Sequence, residues 1–283
     1  MKIHHSPFHN GRPASHRLGQ RMLRFSTVLL LSSLFLGLAP ERGGTESGRE
    51  TQEPKSIHTW FDSDKVEIYN YDVDVRIADF PDTPDKSWLY YFSLQVVFTD
   101  HEEWGHGGLQ WSNAAEFRDH GNLGVNWGGG SDWAGYGGNG VTNTPYKWET
   151  GKWYRFRVWR LEKDNEGYWK WLFAVLNYET NEERQLGTII TKSAWIHNAV
   201  VFTETGYGVS CDTDAVKVLW RNPVFRCTTP GEFTPNKITA TYNGTCTGAY
   251  NTNQVKAEEG GVRQWYHVTN TPRCTADGTL LWQ

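Results

Sequence analysis

The chain has 283 residues, 38% of them hydrophobic and 21% charged, with a formal net charge of −4. That content allows one large all-β domain or two small ones and excludes a largely disordered chain. Without the first 40 residues, 23 basic residues stand against 32 acidic ones, a balance not built for nucleic acid or anionic membranes.

Residues 1–40 carry Lys2, Arg12, Arg17, Arg21 and Arg24 and no acidic residue, and end in the apolar run Phe25 to Ala39. This is the order of a signal peptide, and the run is short for a membrane span of about 20 residues. Export to a secreted location is expected, with no stable span after cleavage and an uncleaved anchor as the alternative. Met22 offers a second start, and Gly37 to Ala39 a cleavage region. Residues 41–56 contain no large apolar side chain and read as a disordered linker.

From Ile57 the hydrophobic period is two. In Val66–Ile77, Tyr69, Tyr71, Val73, Val75 and Ile77 alternate with Asn70, Asp72, Asp74 and Arg76. Trp88–Thr99 repeats the pattern. The stretch from Gly105 to Gly140 then holds twelve glycines, with Trp104, Trp111, Trp127, Trp133 and Tyr136 in or beside it. It reads as a glycine-rich loop carrying aromatic rings. Lys152–Leu161 turns Tyr154, Phe156 and Val158 one way and Trp153, Arg155, Arg157 and Trp159 the other. Gly167–Leu176 closes a hairpin with it. Gln185–Thr191, Ala199–Glu204 and Ala215–Phe225 are further strands, and Asn181–Glu183 and Ser193–His197 are expected helical turns. The fold expected for residues 57–226 is an antiparallel β-sandwich of the jelly-roll kind.

Residues 227–283 shift to Thr, Gly and Asn with short strands at Ile238–Tyr242, Arg263–Val268 and Thr279–Trp282. They read as a small disulfide-stapled β appendage. Cys211, Cys227, Cys246 and Cys274 match no zinc spacing, and four cysteines in an exported chain suggest two bridges. The shortest loops favour Cys211–Cys227 and Cys246–Cys274, with two other pairings open.

The segments His106–Trp111 and Val125–Gly129, with the hairpin Trp153–Leu176, resemble secreted bacterial jelly-roll domains of unknown function in the concanavalin-A-like lectin and glucanase group. The resemblance covers residues 57–226 and implies lectins, glycosidases, lyases or inert modules alike, so it does not settle activity.

Sugar rings stack on exposed tryptophan, while Arg and Gln bond hydroxyls. The expected ligand-binding surface therefore joins Trp104, Trp111, Trp127, Trp133 and Tyr136 to Trp153, Arg155, Arg157 and Trp159. The expected partner is a glycan or polysaccharide, and the expected function a secreted, non-catalytic carbohydrate-binding module. A glycosidase or lyase of the same fold and a protein-binding cell-surface module are the alternatives. The paired-carboxylate string of retaining glucanases is absent. The remaining catalytic candidates are Asp72 and Asp74 on a polar strand face and Glu204 at the end of an apolar strand, where burial would raise its pKa. No cofactor or metal site is expected.

Overall fold

The computed structural model describes residues 55–81, 89–99, 103–112, 115–129, 142–205, 216–243, 253–257, 261–265 and 273–282. Residues 44–283 form one compact unit. Its strands are β1 (Lys55–Asp62), β2 (Ile68–Asp79), β3 (Leu89–Phe98), β4 (Trp104–Ser112), β5 (Leu123–Gly129), β6 (Thr142–Pro145), β7 (Trp153–Lys163) and β8 (Trp169–Asn177). They continue as β9 (Glu182–Thr191), β10 (Ile196–Thr205), β11 (Lys217–Cys227), β12 (Lys237–Asn243), β13 (Asn253–Lys256), β14 (Val262–Trp265) and β15 (Thr279–Trp282). A short 3-10 helix spans Ala115–His120.

All pairings between these strands are antiparallel. They trace two sheets. The first runs β6-β5-β4-β3-β10-β1-β12-β15, and the second β9-β8-β7-β2-β11-β14-β13. A single residue pair, Ile196 with Ile68, links them. Alternation then decides the core. Phe92, Leu94, Val96 and Val201 point inward from the first sheet, and Val73, Val75, Phe156 and Phe173 from the second, all buried in one cluster. The chain is thus an all-β antiparallel sandwich.

The glycine-rich segment departs from expectation. It supplies two strands, β4 and β5, and their glycines make room for large rings. A Cβ on Gly105 would lie 2.6 Å from the Trp127 ring. That ring is 0% exposed, stacks on Phe173 at 5.3 Å and donates its indole N–H to the Trp171 carbonyl at 3.1 Å. Glycine here is the complement of a buried tryptophan.

The C-terminal strands also differ from expectation. β12 adds to β1, and β14 to β11, so the segment extends both sheets. Gln264, on β14, reaches into the interior, where it donates to Thr59 Oγ1 at 2.7 Å and accepts from Thr203 and Trp220. Buried and paired on both sides of its amide, it ties this strand to both sheets. No disulfide staples the segment among the described residues. Cys227 is a buried free thiol whose Sγ lies 3.7 Å from the Thr229 carbonyl, so it is not bridged to Cys211. Cys274 is exposed. Cys211 and Cys246 lie outside the described residues. The expected turns at Asn181–Glu183 and Ser193–His197 are not helical: Asn181 takes a positive φ in the β8–β9 hairpin, and Ile196 already begins β10.

Candidate active site

The expected ligand surface is dispersed by the fold. Trp127 is core. Trp111 faces inward with it and packs edge-on against Tyr90 at 6.1 Å. Trp104 lies on the outer face of the first sheet, 4.9 Å from the His106 ring. Trp133 and Tyr136 lie outside the described residues. Trp153, Arg155, Arg157 and Trp159 line the outer face of the second sheet, the opposite side of the sandwich.

That second face is an ion-pair lattice. Asp72 and Asp74 are 0–1% exposed. Asp74 accepts from Arg155 at 2.8 Å, Tyr178 at 2.9 Å and Asn222 at 2.9 Å, with Arg221 at 3.6 Å. Asp72 accepts from Asn70 at 2.8 Å and pairs with Arg157 at 3.4 Å and Arg226 at 3.5 Å. Burial raises the Asp72 carboxyl, against the Asn70 bond and the arginines that lower it. Arg221 and Arg76 lie over the Trp153 ring at 3.8 and 4.9 Å, and Arg226 lies 5.5 Å from the Trp159 ring. Their mutual ion pairs and ring contacts account for aromatic and charged residues on one strand face, although Asp72 Oδ2, Arg76 Nε and Arg157 Nε make no hydrogen bond among the described residues.

The outer face of the first sheet is different. Antiparallel register aligns three rows across β1, β10, β3, β4 and β5. One row holds Ser56, Glu204, Tyr91, Gln110 and Gly124. The next holds His58, Phe202, Ser93, Gly108 and Asn126. The third holds Trp60, Val200, Gln95, His106 and Gly128. Burial pushes Glu204 up to about 7, and lowers His58 and His106 to about 4, with Asp277 partly opposing the change at His58. All three side chains nonetheless keep some solvent exposure. Three titratable groups shifted by burial and gathered on one sheet face make this face the candidate site.

Glu204 and Gln110 lie two strands apart, about 10 Å between Cα atoms at the usual strand spacing. Tyr91 stands between them in the row, but its ring leans aside. Its hydroxyl donates to Asn126 Oδ1 at 2.5 Å, one row along and two strands over. A Cβ on neighbouring Gly108 would collide with the Phe92 carbonyl oxygen, so β3 and β4 approach closely here. Phe202 and His106 meet the Tyr91 ring edge-on at 5.6 and 5.5 Å, and His58 meets Phe202 at 5.6 Å. Tyr91 and Gln110 are themselves buried, at 1% and 4% exposure.

Of the three carboxylates expected from sequence, Glu204 alone lies on this face. Gln110, Tyr91, Asn126, His58 and His106 were not expected as a site. The alternation of His106, Gly108 and Gln110 with Gly107, Leu109 and Trp111 carries a strand signal, which the glycine content masks. Among the described residues no group of three His, Cys, Asp or Glu side chains is placed to hold a metal ion.

No family model and no curated protein matches the chain. Solved structures of similar fold include scytalido-glutamic peptidase with a peptide-based transition state analog, at TM-score 0.46 and 7% identity over 77% of this chain and all of that one. Another structure of scytalido-glutamic peptidase with a transition state analog inhibitor gives TM-score 0.45 and 8% identity, over 77% of this chain and 99% of that one. SCP-B, of the Eqolisin family of peptidases, in complex with the tripeptide Ala-Ile-His, gives TM-score 0.43 and 8% identity, over 77% of this chain and all of that one. Such identities transfer no site residue. These neighbours are peptidases, not lectins, and a concanavalin-A-like assignment has no support among them. With Trp127 in the core and Arg155 and Arg157 committed to ion pairs, the carbohydrate-binding module expected from sequence is withdrawn.

Proposed function

We propose that the protein is a hydrolase of peptide bonds in which Glu204 is the general base and Gln110 the oxyanion donor. The observation that carries this reading is the placement of the Glu204 carboxyl, raised to about 7, and the Gln110 carboxamide in one cross-strand row, two strands apart on the same face. A base with a pKa near neutrality combines a populated ionised form with real proton affinity. In the step this arrangement suits, the Glu204 carboxylate takes a proton from water as the water oxygen bonds to the substrate carbonyl carbon. The Gln110 N–H donates to the carbonyl oxygen as negative charge collects there. Protonated Glu204 then returns its proton to the amide nitrogen, and the C–N bond breaks. A carboxylate faced by a carboxamide suits acyl chemistry, whereas glycoside hydrolysis calls for two carboxyl groups flanking the bond. The apolar run Phe25 to Ala39 supports an exported enzyme.

Incubation with a mixed peptide library, with products read by mass spectrometry, tests the proposal. Glu204→Gln should lose about 10²–10⁴-fold in kcat/KM, and Gln110→Ala about 10²–10³-fold in kcat. Undiminished cleavage by Glu204→Gln, or no cleavage by the wild type from acid to mildly alkaline pH, overturns it.

A further inference from the structure

Tyr91 occupies the position directly between Glu204 and Gln110 in the cross-strand row. A tyrosine standing upright there would fill the gap where water and the scissile bond must sit. Instead its hydroxyl bonds Asn126 Oδ1, one row along and two strands over. Asn126 is 0% exposed, and its Nδ2 has no hydrogen-bond partner among the described residues. A buried unpaired N–H is a standing cost, which a valine of similar volume would avoid. A residue kept for packing alone has no reason to bear that cost. One that tethers the tyrosine hydroxyl does.

We propose that Asn126 is a positioning residue, a tether that holds the Tyr91 ring out of the gap between Glu204 and Gln110. The inference rests on the hydrolase reading of those two side chains. Asn126 does not touch the reacting atoms; it acts through where Tyr91 lies. Phe202 and His106 also meet the ring edge-on, so the tethered position is packed as well as bonded.

The crystal structure of Asn126→Ala is the activity-independent test. The Tyr91 ring is expected between Glu204 and Gln110; a ring that has not moved overturns the proposal. Tyr91→Phe, which removes only the hydroxyl, serves as the second variant should Asn126→Ala fail to fold, with the same two outcomes.

Kinetics with a cleavable peptide supply the second arm. Asn126→Ala should lower kcat about a hundredfold, the usual cost of disturbing a reacting geometry. On a Tyr91→Ala background, with no ring to release, the same substitution should lower kcat by less than about twofold. An equal loss on both backgrounds shows that Asn126 does not act through Tyr91. Failure of the hydrolase reading is seen separately, as cleavage that survives Glu204→Gln, whatever the position of the ring.

Discussion

Replacing Glu204 by Gln should stabilise the fold at neutral pH while destroying its proposed activity. Burial raises this carboxyl from 4.5 to about 7. Each pKa unit corresponds to about 1.4 kcal/mol, so ionising Glu204 in the folded state costs at most about 3.5 kcal/mol. The solvent that still reaches the side chain brings the expected figure nearer about 2 kcal/mol. Between 4.5 and about 7 the unfolded chain has released this proton while the folded chain keeps it, so its contribution to stability falls as pH rises through that window. Below 4.5 it vanishes, and above about 7 it is constant. His58 and His106, lowered from 6.5 to about 4, act oppositely. The unfolded chain binds their protons over that interval, so their contribution grows with pH. They are common to both proteins and cancel in the difference. Thermal unfolding of wild type and Glu204→Gln across pH should therefore give equal Tm values near pH 4 and a variant more stable by roughly 4–8 °C near pH 8. A Tm difference independent of pH, or a variant less stable at pH 8, would refute the reasoning. A buried base that weakens its own fold is the trade expected of a functional group.

Three further outcomes follow from the packing. Trp127→Ala should cost about 3–5 kcal/mol in denaturant unfolding; a variant as stable as the wild type would return this ring to the surface. Asp74→Ala strips the partner from Arg155, Tyr178 and Asn222 at once and should cost about 3 kcal/mol or more, whereas a change under about 0.5 kcal/mol would mean that the lattice is ornamental. The Cys227 thiol should resist a maleimide reagent in the native protein and react after unfolding without reductant; no reaction after unfolding would reveal a bridge.

The sandwich was legible because one face of each long strand is apolar: β2, β3, β7, β10 and β11 all show the period-two pattern. β4 and β5 were not, because their inward positions include Gly105 and Gly107, which a propensity argument reads as loop. The space those glycines leave is filled by Trp127 and Phe173 from elsewhere in the chain. The same masking hid Gln110 and Asn126. Glu204 was visible as an acid ending an apolar strand, but its neighbours were not, since the rows that join it to Tyr91 and Gln110 depend on strand order, which residue spacing does not encode. Asp72 and Asp74 looked equivalent to it until the surrounding arginines were placed. The Cys211–Cys227 bridge was inferred from loop length, but Cys227 instead lies in the apolar core as a free thiol.

The central claim is that Glu204 works as a base whose pKa is set by burial, and the pH dependence of kcat/KM on a cleaved peptide tests it most directly. The wild-type profile should rise with an apparent pKa of about 7, matching the Glu204 carboxyl, and Glu204→Gln should be flat at a level lower by about 10²-fold or more. A wild-type profile without that inflection, or the same inflection retained in Glu204→Gln, would contradict it.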